Sequence, residues 1–104
     1  MKSKGVLAAR ERLVRQLPNP AEIVRGSLLK RTIRHRHGCQ KCARGEGHPA
    51  WILTVTYPGG VTRQFSVRPE QRAQVAQWVA NYRRLKRGLE AICELNHALL
   101  RAGE

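Results

Sequence analysis

The stretch Trp51-Ile52-Leu53-Thr54-Val55-Thr56-Tyr57-Pro58-Gly59-Gly60-Val61-Thr62-Arg63-Gln64-Phe65-Ser66-Val67 decides the fold. Two runs rich in β-branched and aromatic residues flank Pro58-Gly59-Gly60, where proline presets one backbone torsion and glycine supplies positive φ, so the chain is expected to reverse into a β-hairpin. Two strands by themselves are marginal in water, which calls for a third. Residues 27–36 supply it: Leu29, Arg31, Ile33 and His35 alternate with Leu28, Lys30, Thr32 and Arg34, the period of a strand. The expectation is a three-stranded antiparallel sheet whose first strand is basic.

Helical patterns lie on either side. Val6, Arg10, Leu13, Val14 and Leu17 recur at helical spacing in residues 4–17, and Pro18-Asn19-Pro20 ends that helix. Residues 21–25 are read as one further helical turn before Gly26. After the hairpin, Pro69 suits a first helical turn, and only Gly88 interrupts the pattern before Ala102, a helix of about 51 Å. Val75, Trp78, Tyr82, Leu85, Leu89, Ile92, Asn96 and Leu99 alternate steps of three and four along it, forming a coiled-coil-like seam with Asn96 at an a position. Such a seam either pairs two chains as a homodimer or covers the sheet of its own chain; both hold if the first half covers and the second half pairs. The fold class is therefore α+β in one domain, residues 1–104: a helical N-terminal arm (1–20), a basic strand, metal loop and hairpin (21–68), and a long helix (69–104).

Twenty Lys and Arg stand against seven Glu and no Asp, a formal charge of +13. That excess exceeds what solubility requires and favours a polyanionic partner. The charge is uneven, with twelve basic and three acidic residues in 1–49 but eight and four in 50–104. No apolar run approaches the length that spans a bilayer, the N-terminus lacks a signal-peptide pattern, and three cysteines fit a reducing compartment, so the expected location is the cytoplasm. The absence of Asp, of a glycine-rich phosphate loop and of paired carboxylates argues against an enzyme; Glu46 beside His48 is a lone pair of a kind usually incidental.

Residues 37–50 carry Gly, His and Cys without periodicity and read as a loop needing an ordering agent. His35, His37, Cys39, Cys42 and His48 stand in the order H-x-H-x-C-x2-C-x5-H. Four such ligands suit tetrahedral Zn²⁺, and the C-x2-C spacing lets two thiolates reach one ion from a tight turn. The candidate set is His35 or His37 with Cys39, Cys42 and His48; a complete set of four leaves no open position, so the zinc would be structural. Two other readings stay open: histidines touching phosphate beside plain loop thiols, and a redox C-x-x-C pair, which lacks its usual βαβ context. Cys93, next to the seam, reads as a small apolar residue.

Arg25-Gly26-Ser27-Leu28, the loop end Cys42-Ala43-Arg44-Gly45-Glu46-Gly47-His48, and Asn81-Tyr82-Arg83-Arg84-Leu85-Lys86 with Glu94-Leu95-Asn96 resemble a family of small prokaryotic proteins catalogued as a domain of unknown function. The likeness covers residues 20–100. In that family the loop runs C-x4-C-x-C-x5-H, the hairpin opens with an aromatic, and members are often encoded near transposases. The resemblance implies a metal loop in which Cys42 and His48 match the last Cys and the His; the first family Cys falls on His35 and the middle one on Gln40, with Cys39 displaced by one. It implies a link to mobile elements and no activity.

Seven cations and no carboxylate occur from Arg25 to Arg44: Arg25, Lys30, Arg31, Arg34, Arg36, Lys41 and Arg44. On a strand Lys30, Thr32, Arg34 and Arg36 share a face at about 6.6 Å spacing, close to that of successive phosphates. This favours backbone contacts over base reading, and duplex DNA over single-stranded RNA. Arg83 and Arg84 on the long helix either extend that surface or solvate the helix. The rival classes are an RNA-binding protein, a protein-interaction adaptor assembled through the long helix, and a charged edge strand that only resists aggregation. A membrane-surface role fits poorly, because the apolar stripe is narrow.

Overall fold

The computed structural model describes residues 2–33 and 48–102. In chain order these form α1 (Lys2–Gln16), β1 (Ser27–Ile33), β2 (His48–Thr56), β3 (Thr62–Val67), a 3-10 turn (Pro69–Gln71) and α2 (Arg72–Ala102). The strands make one antiparallel sheet in the order β1-β2-β3. The chain divides into two compact units, Val24–Val79 and Met1–Ile23 with Ala80–Glu104.

The unit Val24–Val79 holds the sheet. Its register places Leu28, Lys30 and Thr32 of β1, Trp51, Leu53 and Val55 of β2, and Arg63, Phe65 and Val67 of β3 on one face, because strand side chains alternate. Leu53, Val55 and Val67 bury that face together with Val79 of α2, and Val24, Leu28, Trp51 and Val75 pack around them. The first turns of α2 thus cover the sheet with Val75 and Val79. Tyr57 and Val61 close the hairpin, the Tyr57 amide donating to the Val61 carbonyl at 2.7 Å. Inside it the Gly60 amide donates to the Tyr57 carbonyl, with Pro58 second and Gly59 third at φ 93°, which makes a type II turn.

Two boundaries differ from the sequence expectation. Residues 21–25 are not helical: Asn19 Oδ1 accepts from the Ala21 amide at 2.9 Å and its carbonyl from the Glu22 amide at 3.0 Å, so one asparagine-initiated turn takes the place of a helix. Strand β2 begins at His48, whereas Pro49 and Ala50 were expected in the loop. Pro49 pairs only with Thr32, and β3 joins the sheet first at Trp51, so the missing proline donor falls where β2 is locally an edge.

The other unit is a helix pair. Leu17 packs against Gly88, where a Cβ would collide with the leucine methyl, and Arg10 Nη1 donates to Asn96 Oδ1 at 3.0 Å. As the α1 number rises the α2 number falls, so the helices run antiparallel. Gly88 therefore interrupts nothing; it is the notch that admits Leu17. Asn81, buried, donates through Nδ2 to the Glu22 carbonyl at 3.0 Å. Among the described residues of this unit no apolar side chain is fully buried, while Leu7, Val14, Leu89 (50% exposed) and Leu100 (73% exposed) lie open. Of the seam residues, Leu89 is exposed and Ile92 and Leu99 are half-buried. No described helix is long and apolar enough to cross a membrane.

Candidate nucleic-acid interface

Within Val24–Val79 the described cations are Arg25, Lys30, Arg31, Arg63, Arg68 and Arg72, against one carboxylate, Glu70. Arg68 Nε lies 3.4 Å from Glu70 Oε1, an exposed pair that takes up that carboxylate. The remaining five cations have no carboxylate partner among the described residues, and four of them are ordered by aromatic rings instead. The Lys30 Nζ stands 6.0 Å and the Arg72 guanidinium 5.1 Å from the Trp51 ring centroid. At the far end of β2, the Arg25 and Arg63 guanidinium groups stand 5.2 and 5.7 Å from the Tyr57 ring centroid. Arg25 Nη1 also donates to the Thr56 carbonyl at 2.7 Å. Cation–ring contacts of this length attract by about 0.5–1 kcal/mol at exposed sites. They bias each cation toward its ring while leaving its outer N–H groups for an anion. Trp51 and Tyr57 are six residues apart on one strand, so the two clusters are separated by about 20 Å.

The fifth cation points elsewhere. Arg31 sits on the opposite sheet face, where both terminal nitrogens reach the Gln64 side-chain oxygen at 3.2 Å once that amide is turned oxygen-inward. Lys30 and Arg31, adjacent in sequence, therefore serve different faces. Between the clusters an apolar cleft of about 480 Å³ opens against the core face, lined by Arg25, Tyr57, Val55, Phe65, Val67 and Val75 among others. Phe65 is 46% and Tyr57 36% exposed.

Arg34, His35, Arg36, His37, Cys39, Lys41, Cys42, Arg44 and Glu46 lie outside the described residues. His48 is placed by its backbone, opposite Ile33. Arg83 and Arg84 are exposed on α2 in the helix-pair unit, and Arg84 with Arg87 borders a cavity of about 440 Å³ beside Leu17 and Gly88. Cys93, expected to behave as a small apolar residue, is an exposed free thiol.

Sequence reading alone missed Arg63 and Arg72. The signal for Arg63 was present, since it shares parity with Phe65 and Val67, but its pairing with Tyr57 needs the hairpin register. Arg72 approaches Trp51 only through the placement of the α2 start. No family model, curated protein or solved structure matches this chain.

Proposed function

We propose that this is a small, basic, non-enzymatic protein that binds nucleic acid, above all duplex DNA, by neutralising backbone phosphates. The observation that carries the reading is the set Arg25, Lys30, Arg63 and Arg72: four cations from the sheet and its flanking segments that gather on the Trp51 and Tyr57 rings and lack carboxylate partners among the described residues. A surface that only kept the chain soluble would gain nothing from ordering its arginines. Cations that are ordered and uncompensated lose less side-chain entropy when they meet a phosphate. Arg34, Arg36, Lys41 and Arg44 add charge to the same segment, and the resemblance to proteins encoded near transposases supports a link of such binding to mobile elements.

The structural zinc belongs to the same reading. Ile33 and His48 are a cross-strand pair, so the fourteen residues between them leave and rejoin the sheet at one point. The donor set, two thiolates and two imidazoles, fits Zn²⁺; His35 or His37, Cys39, Cys42 and His48 would hold it, and bound zinc would order a stretch too long to be ordered by turns alone.

The helix pair completes the proposal. Leu7 and Val14 on α1 and Leu89 and Leu100 on α2 suit pairing with a second copy, in which four helices bury what two leave open. The second reading, a protein-interaction adaptor, rests on these same exposed residues. A salt titration separates the two. Phosphate binding gives affinity for duplex DNA that falls log-linearly with salt. An adaptor gives weak binding to nucleic acid of every type, and a run against duplex DNA, single-stranded DNA and structured RNA ranks the partners.

A further inference from the structure

Besides its cations, the core face of the sheet carries an opening that phosphate contacts leave unused. The cleft beside β3 holds about 480 Å³, within the roughly 300–1,000 Å³ typical of small-ligand pockets. It is lined by Val55, Val67 and Val75, the exposed Phe65 ring, and Arg25 and Tyr57, whose guanidinium and ring meet at 5.2 Å. We infer that this cleft receives an unpaired nucleobase, stacked against Phe65, whose own phosphate rests on Arg25.

The argument is one of complementarity. An occupant must be flat and largely apolar to meet Phe65 and the valines, and must carry negative charge within a few ångströms of that body to meet the Arg25 guanidinium. A nucleotide joins a planar base to a phosphate at that separation. Unpaired bases stack readily on aromatic side chains and arginine planes, whereas a base inside a duplex shows no free face. Among the described residues of Val24–Val79 the positive rim meets no opposing carboxylate, since Glu70 is the one acidic residue described there and Arg68 holds it. Arg25 is already fixed by the Thr56 carbonyl, so it does not need to collapse into the cleft to find a partner. The inference rests on the reading of the protein as a nucleic-acid binder. It adds that a duplex with a single-stranded end is preferred over a blunt one.

The test is fluorescence anisotropy on a labelled blunt duplex and on the same duplex with a thymidine overhang, each measured over a range of salt. The overhang is expected to tighten binding about tenfold, the scale of one stacked base. Phe65→Leu, which keeps an apolar side chain but loses the ring, should abolish that advantage and leave blunt-duplex affinity unchanged; Phe65→Tyr should retain it. Because Phe65 is half exposed, both variants should keep the wild-type circular dichroism spectrum and urea midpoint. Equal affinity for the two duplexes with normal salt dependence overturns the base site and leaves phosphate binding standing. Failure to bind either duplex at low salt overturns both. Binding to anionic phospholipid vesicles that depends on Phe65, without an overhang advantage, would assign the cleft to lipid and also refute the inference.

Discussion

Replacing Arg25 and Arg63 together by Ala, and separately Arg31 by Ala, sets the two faces of the sheet against each other. All three residues carry the same charge and lie within one small unit, so a diffuse electrostatic attraction would lose about the same amount per cation removed. Direct phosphate contact predicts an asymmetry. Each neutralised phosphate contributes about −0.9 to the slope of log affinity against log salt on duplex DNA. The double substitution should therefore make the slope shallower by about 1.8. Arg31→Ala should leave it unchanged, because that guanidinium lies on the opposite face against Gln64. The fold should survive: the double variant loses one exposed hydrogen bond to the Thr56 carbonyl and two cation–ring contacts, about 1 kcal/mol each at most. Arg25→Lys is the companion variant; it keeps the charge and hence the slope, but loses the planar stack and binds more weakly at every salt concentration. Anisotropy titrations over a range of salt read both quantities. An equal loss of slope in Arg31→Ala and Arg25→Ala would show that no face is preferred and would refute the reasoning.

Four further outcomes are expected. Gly26→Ala should destabilise by about 1–3 kcal/mol in urea unfolding, because Gly26 has φ 145° and an added Cβ would lie 2.8 Å from Leu53 Cδ1 and 2.9 Å from the Thr54 carbonyl oxygen. Asn81→Ala should cost about 1 kcal/mol by removing the part-buried hydrogen bond from the Asn81 side chain to the Glu22 carbonyl, read in the same assay. Protein purified without added metal should contain one zinc per chain by elemental analysis, and Cys42→Ser should lower both zinc content and melting temperature; a metal-free protein of undiminished stability would refute the zinc site. Light scattering at micromolar concentration should report a dimer that Leu89→Glu converts to monomer; a wild-type monomer would leave the exposed leucines to another partner.

The sheet and both helices are legible in the sequence because each rests on a local signal: period-two alternation around Pro58-Gly59-Gly60, and steps of three and four on either side. The misread boundaries each involve a residue whose meaning depends on a neighbour in space. Pro49 looks like a strand breaker until the register shows β3 absent on that side. Residues 21–25 look like a helical turn until the Asn19 side chain is found to take the Ala21 amide. The candidate site divides in the same way. Arg25, Lys30 and Arg31 stood out as charges in a row, but which face each occupies follows from register, and the partnership of Arg63 with Tyr57 or Arg72 with Trp51 is a tertiary fact that spacing does not encode. The seam from Val75 to Leu99 was expected to pair two chains, to cover the sheet, or to divide these duties between its halves; Val75 lies on the sheet, and Asn96 is held by Arg10 of the first helix.

The pairing of Ile33 with His48 makes the intervening fourteen residues a cassette. The described ladder runs from Ser27↔Thr54 to Ile33↔His48, and doubling the length of a connecting segment adds only about 0.6 kcal/mol of closure cost. Residues 34–47 can therefore vary in length and ligand pattern, or be exchanged for those of another chain, while β1 and β2 keep their register. Evolution, or a designer, has in the Ile33–His48 pair a socket into which a different connecting segment can be set without rebuilding the sheet.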